Sequence, residues 1–177
     1  TQIIKNVQSY SLEHGMALMD EARYITGLEN PQSVAQLKKW ILDQEGHDIE
    51  SLNKEAVKDL LKGKLRPETR RALEIRQELG KTSVKKYDAF QRACGEDDRI
   101  RGTFQFFGGR TGRWAGRLIQ PQNFPRPSFD EVDEPRTLVK EGNFELLELI
   151  YPSMNDVFAT ILRTVITPPE GKSFIVA

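Results

Sequence analysis

Residues 99–127 carry six arginines, Arg99, Arg101, Arg110, Arg113, Arg117 and Arg126, and neither Asp nor Glu. Phe104, Phe106, Phe107, Trp114 and Phe124 are interleaved with them. This stretch constrains the fold most, because it interrupts a chain that otherwise reads largely as helix. Its first part alternates, with Ile100, Phe104 and Phe106 on one side and Arg99, Arg101, Thr103 and Gln105 on the other, the period of a half-buried strand. Gly108 and Gly109 then permit a turn with positive φ, and Gly112 and Gly116 permit a close approach of the backbone to another group. The expectation is a short antiparallel β region over residues 100–117. Arginine on such a scaffold, with no local acid to pair with, suits phosphates or base edges. A basic surface hairpin that binds nothing is the plainer alternative.

The glycines do not form a nucleotide loop. No Gly-Lys-Ser/Thr closes the run, which excludes a P-loop, and no Gly-x-Gly-x-x-Gly is present, which excludes a dinucleotide fingerprint.

The flanking segments carry helical signals. Residues 1–11 read as a boundary segment. A helix is expected over residues 12–24, with Leu12, Met16, Met19 and Arg23 on one stripe, its methionines read as core, and Gly27 near its end. His14 reads as an exposed helix residue without a partner. Asn30 and Pro31 provide an N-cap and a first helical residue for a helix over residues 31–44, with Gly46 to end it. Asn53 caps a short helix over residues 54–61, ending at Gly63. Pro67 opens a helical stretch to Ala93 whose buried side is Ala72, Leu73, Leu79, Val84, Tyr87 and Phe90. Arg70, Arg71, Arg76, Lys81, Lys85 and Lys86 are left for solvent, and Gly80 invites a break. Residues 128–135 read as an acidic turn. More helix is expected over residues 136–163, divided at Gly142-Asn143 and restarted at Ser153 or Asn155. Phe174, Ile175 and Val176 read as a buried strand. The fold class is therefore α+β: a mostly helical region, a small antiparallel β region, then further helices.

At 177 residues, one domain or two small lobes are expected. Lys plus Arg (26) equals Asp plus Glu (26), so no global field draws a polyanion. The charge is segregated instead, with a basic residue-62–92 segment and an acidic one after Ser128, which can steer nucleic acid to one face. A lone cysteine, Cys94, excludes an intrachain disulfide and fits a reducing, cytoplasmic setting. No apolar run is long enough for a membrane span. His14 and His47 lack metal-ligand spacing, and the carboxylates of residues 130–134 lack the spacing of a calcium loop, so no metal is assigned.

Thr111-Gly112-Arg113 followed by Gln122-Asn123-Phe124-Pro125 resembles the T-G-R…Q-N-hydrophobic-P signature of family A, polymerase I type DNA polymerases. Leu73-Glu74-Ile75-Arg76 and Lys81-Thr82-Ser83-Val84-Lys85-Lys86-Tyr87 resemble the thumb helix of that family, and the phage or prophage members carry a segment like Ile25-Thr26-Gly27-Leu28-Glu29-Asn30-Pro31. Leu162-Arg163-Thr164-Val165-Ile166, Pro169-Glu170-Gly171 and Phe174-Ile175-Val176-Ala177 resemble the approach to the first catalytic motif.

The resemblance implies a thumb-like region over residues 1–94 and a partial palm-like region over residues 95–177. It implies DNA-binding roles for Arg76, Lys81, Lys85, Arg110, Arg113, Arg117, Gln122 and Asn123, with Arg113 at the primer terminus. It departs from the family after Arg113, where Trp114, Ala115, Gly116 and Arg117 stand in place of small hydroxyl residues. The partners implied are primer-template DNA, with deoxynucleoside triphosphates and Mg2+ used by the parent enzyme. The family's magnesium-binding Asp would follow Ala177, so no catalytic residue is expected here, and the missing remainder of the polymerase is a further partner. The alternatives are a non-catalytic nucleic-acid-binding module and one half of a split polymerase.

Overall fold

The computed structural model describes residues 2–80 and 83–174. Eight α-helices and one two-stranded antiparallel sheet are found among them: α1 (Gln2–Thr26), α2 (Val34–Glu45), α3 (Lys54–Leu60), α4 (Pro67–Leu79), α5 (Ser83–Ala93), β1 (Phe104–Gln105), β2 (Ala115–Gly116), α6 (Asp133–Glu141), α7 (Phe144–Ile150) and α8 (Met154–Ile161). The fold is α+β and mostly helical. It divides into two compact units, Leu12–Lys81 and Thr1–Ser11 with Thr82–Ala177.

In the unit Leu12–Lys81, local signals set most boundaries. The Asn53 side chain caps α3 by accepting from the Ala56 amide at 2.8 Å. Pro67 opens α4, and Gly46 ends α2 in the left-handed conformation at φ 77°. Leu37, Ile41, Ile49, Leu52, Val57 and Leu73 form one apolar cluster, and Leu18, Ala22 and Ile75 form another.

Three sequence expectations are corrected in this unit. The buried stripe of α1 is Leu18 and Ala22, while Leu12 and Met16 are exposed. Leu18, Ala22 and Ile25 keep the i, i+4, i+7 spacing of a helix face, but on a different side from the methionines. Asn30 does not cap α2; its side chain accepts from the Gln32 amide at 3.2 Å in a local turn, and Ser33 takes the N-cap position. His14 is not without a partner, since its Nε2 lies 3.1 Å from Glu78 Oε1.

The other unit is built on Tyr87, Phe90, Val139, Leu147, Val157, Phe158, Ile161 and Leu162, with Ile3, Ile4 and Val7 of α1. Residues 2–11 are therefore helix and core rather than a boundary segment. Rings carry much of the packing. Phe158 meets Tyr10, Tyr87 and Phe144 edge-on, with centroids 5.6, 6.4 and 6.4 Å apart. The Tyr87 hydroxyl donates to the Phe158 carbonyl at 2.7 Å, and burial pushes its pKa up. Asn6 donates from Nδ2 to the Val139 and Lys140 carbonyls at 2.8 and 3.0 Å, closing the end of α6.

The stretch from Pro67 to Ala93 is two helices, as Gly80 invited, with α4 ending at Leu79 and α5 starting at Ser83. The acidic turn is shorter than expected, because α6 starts at Asp133 and takes Asp133 and Glu134 into its first turn, where the helix dipole favours carboxylates. Ser153 caps α8 and accepts from the Asp156 amide at 3.4 Å. Of the expected final strand, Phe174 is exposed and outside any strand; residues 175–177 lie outside the described residues.

Candidate nucleic-acid interface

The arginine-rich stretch leaves α5 at Ala93 and makes an antiparallel bridge between Cys94 and Ile100. The β region is smaller than the alternation predicts. β1 and β2 pair Phe104 with Gly116 and Gln105 with Ala115, and the Arg117 amide extends the ladder by donating to the Thr103 carbonyl at 2.7 Å. Phe104 and Phe106 are exposed, so the strand is not half-buried on its aromatic side. Ile100 alone of the expected inward residues packs against the core.

The turn between the strands also differs from expectation. Positive φ falls at Phe107 (55°) and Gly112 (75°), and not at Gly108 or Gly109. Gly108 serves close approach instead: a Cβ there would come within 2.7 Å of the Ala115 Cβ. The Phe107 ring lies against Gly112, where a Cβ would stand 2.8 Å from Cε2. Gly116 faces the Gln122 carboxamide, which would overlap any side chain placed at 116. After β2 the chain turns through positive φ at Leu118 and Gln120 into a single 3-10 turn, Pro121–Asn123.

The structure brings Arg110, Arg113, Arg117, Gln122 and Asn123 into this one loop system, and all five are exposed. Among the described residues no carboxylate pairs with Arg110, Arg113 or Arg117. The Arg117 guanidinium donates to Gln105 Oε1, from Nε at 2.6 Å and also from an Nη, so its charge is held in place without being neutralised. Asn123 donates to Gln120 Oε1 at 2.9 Å.

Not every cation of the stretch is available. Asp97 lies just before the acid-free window and receives both Nη of Arg101, at 3.0 and 2.6 Å. It also stands 3.9 Å from Arg99 Nε. The Arg101 hydrogen bonds and charge hold the Asp97 carboxyl down at about 2. Arg99 and Arg101 thus have a local acid after all, which the window's edges concealed.

The helical candidates divide in the same way. Lys85 is exposed on α5 and makes no hydrogen bond or ion pair among the described residues. Lys86 donates to the Ile119 carbonyl at 3.2 Å, tying α5 to the loop after β2. Arg76 belongs to the other unit and donates to the Gln32 carbonyl at 3.0 Å. Its neighbours on α4 are used structurally too. Arg70 donates to the Leu61 and Gly63 carbonyls at 2.7 and 2.9 Å. Arg71 holds Glu21 through Nε at 2.6 Å and Nη2 at 2.8 Å. The expectation that α4 leaves its arginines to solvent is corrected accordingly. Lys81 lies outside the described residues.

Among the described residues no group of three or more His, Cys, Asp or Glu is placed to hold a metal ion, and no helix is long and apolar enough to cross a membrane. No protein-family model and no solved structure matches the chain. The chain is 42% identical over 176 residues to a DNA polymerase of Bacillus phage SP02. That likeness covers 99% of this chain and 27% of the phage polymerase, so the chain spans about a quarter of the length of that relative.

Proposed function

We propose that this chain is the duplex-gripping part of a cytoplasmic, family A type DNA-directed DNA polymerase, with a thumb-like region over residues 1–94 and a palm-like region over residues 95–177. The observation that carries the reading is the 42% identity to a phage DNA polymerase along the whole chain. The exposed, acid-free loop holding Thr111-Gly112-Arg113 and Gln122-Asn123 supports it. In this reading Arg113 reaches acceptors in the minor groove at the primer terminus, which are common to all base pairs and so suit a sequence-independent enzyme. Arg110 and Arg117 face phosphates, Gln122 and Asn123 hold the strands near the junction, and Lys85 follows the duplex backbone. Deoxynucleoside triphosphates and Mg2+ belong to the parent enzyme. The described carboxylates do not form a site that fits the metal, so no step of nucleotide addition is assigned to this chain.

Fluorescence anisotropy with a primer-template duplex tests the reading. Affinity is expected to fall with salt, with a log-log slope of roughly −3 to −5. Arg113→Ala costs about 1–3 kcal/mol, similarly for every terminal base pair, whereas Lys39→Ala on α2 leaves binding unchanged. Equal behaviour of the two variants would overturn the assignment of Arg113.

A further inference from the structure

The loop between β1 and β2 keeps three large aromatic side chains outside. Phe106 and Phe107 are each 69% exposed and Trp114 is 64% exposed. They are not scattered. The Phe106 ring meets Trp114 edge-on with centroids 5.1 Å apart, and Phe107 stands 6.1 Å from Phe106. The cluster is also held. Phe107 takes a left-handed φ of 55°, which a bulky side chain avoids in ordinary turns, and its ring rests on Gly112 in the space that a Cβ would fill. Gly108 lets the two strands close behind it, against Ala115.

Arg110 and Arg113 belong to the same loop, exposed and unmatched by any carboxylate among the described residues. Exposed rings and unmatched cations in one loop suit a ligand that carries both π-faces and phosphates. A duplex does not meet that description, because its base faces are already stacked inside and it offers only edges and phosphates. An unpaired strand does.

We propose that Phe106, Phe107 and Trp114 form a stacking platform for unpaired bases of single-stranded DNA, with Arg110 holding an adjoining phosphate. The inference rests on the polymerase reading and narrows it: the loop takes the single-stranded template next to the duplex as well as the duplex itself. Stacking is sequence-tolerant, since every base has a π-face, as template handling requires.

The full chain carrying Trp40→Phe leaves Trp114 as the sole tryptophan and so as the reporter. It is titrated with oligo(dT) of about 12 nucleotides, with a blunt duplex, and with the same duplex bearing a single-stranded 5′ overhang. Trp114 emission is expected to be quenched by oligo(dT) and by the overhang duplex, and not by the blunt one. Phe106→Ala in that background is expected to weaken binding of the overhang duplex by about tenfold, within the range that stacking of one base carries, and to leave the blunt duplex unaffected. Circular dichroism melts verify that the variant keeps its fold. Salt-dependent binding of blunt and overhang duplexes with equal affinity and no quenching overturns the platform and leaves the duplex-gripping reading standing. An equal loss on both duplexes in Phe106→Ala also overturns it. Absence of binding to all three ligands overturns both readings, and the rings then belong to a protein contact.

Discussion

The arginines of α4 and those of the β1–β2 loop are the same residue type in opposite employment. On α4, Arg70 satisfies carbonyls at the end of α3, Arg71 clamps a carboxylate and Arg76 reaches the Gln32 carbonyl. In the loop, Arg110 and Arg113 meet no carboxylate among the described residues, and Arg117 rests on a neutral amide. The difference lies in what the surroundings leave unsatisfied. A helix end exposes carbonyls that need donors, and a nearby arginine is drawn to them. In the loop, the Thr103, Gly109, Arg113 and Arg117 carbonyls accept from backbone amides instead. Aromatic rings divide likewise, packed edge-on around Phe158 and left outside around Phe106. A tally of basic or aromatic residues therefore says little about binding; the side chains without a structural task are the informative ones.

Measurements on single variants would sharpen or break this contrast. Phe158→Ala is expected to cost about 3–5 kcal/mol of stability by urea unfolding, and Phe106→Ala to stay within about 0.5 kcal/mol. Comparable costs would mean that the loop rings are core after all. Gly112→Ala places a Cβ at a left-handed φ and against the Phe107 ring. It should cost about 1–3 kcal/mol and show in hydrogen exchange as lost protection of the β1–β2 amides, with the α5 and α8 amides unchanged. Arg71→Met should cost less than about 1 kcal/mol, because both members of its pair are more than a third exposed. The Arg71 hydrogen bonds hold the Glu21 carboxyl below its usual range, so that contribution is present at neutral pH and fades as pH falls through the carboxylate range. The variant should accordingly lose less stability on acidification than the parent protein. Asp97→Asn acts most gently. It frees Arg99 and Arg101 from their acid, and the salt dependence of duplex binding should steepen by about one in log-log slope. By NMR titration, Asp97 itself should remain mostly ionised at pH 3, since its carboxyl is held at about 2.

Features set within a few residues were legible in the sequence. The Asn53 and Ser153 caps, Pro67 at the start of α4, the break at Gly80 and the left-handed ends at Gly46 and Gly142 all follow from local chemistry. Asn30 has capping chemistry but a different use: an Asx turn and an N-cap draw on the same side-chain oxygen, and Ser33 stands nearby to take the cap. What was not legible depends on partners far away in sequence. Ile3, Ile4 and Val7 acquire their burial from residues beyond Tyr87, and His14 acquires Glu78. In the candidate interface, the clustering of Arg110, Arg113, Arg117, Gln122 and Asn123 followed from their closeness in the chain. The exposure of Phe104 and Phe106 did not, because strand alternation assigns them a buried side that a ladder of two paired positions does not build. The left-handed turns at Phe107, Leu118 and Gln120 carry no glycine to announce them.

The bonds from Asn6 to Val139 and Lys140 span more than 130 residues, and this has a consequence for the order of events on the ribosome. The unit Leu12–Lys81 is contiguous, so its contacts can all form once that one segment has emerged. The other unit is split in sequence, and Ile3, Ile4 and Val7 have no partners until α5, α6 and α8 are made. At synthesis rates of about 5–20 residues per second, those early apolar side chains wait on the order of ten seconds, while the segment made after them has already folded.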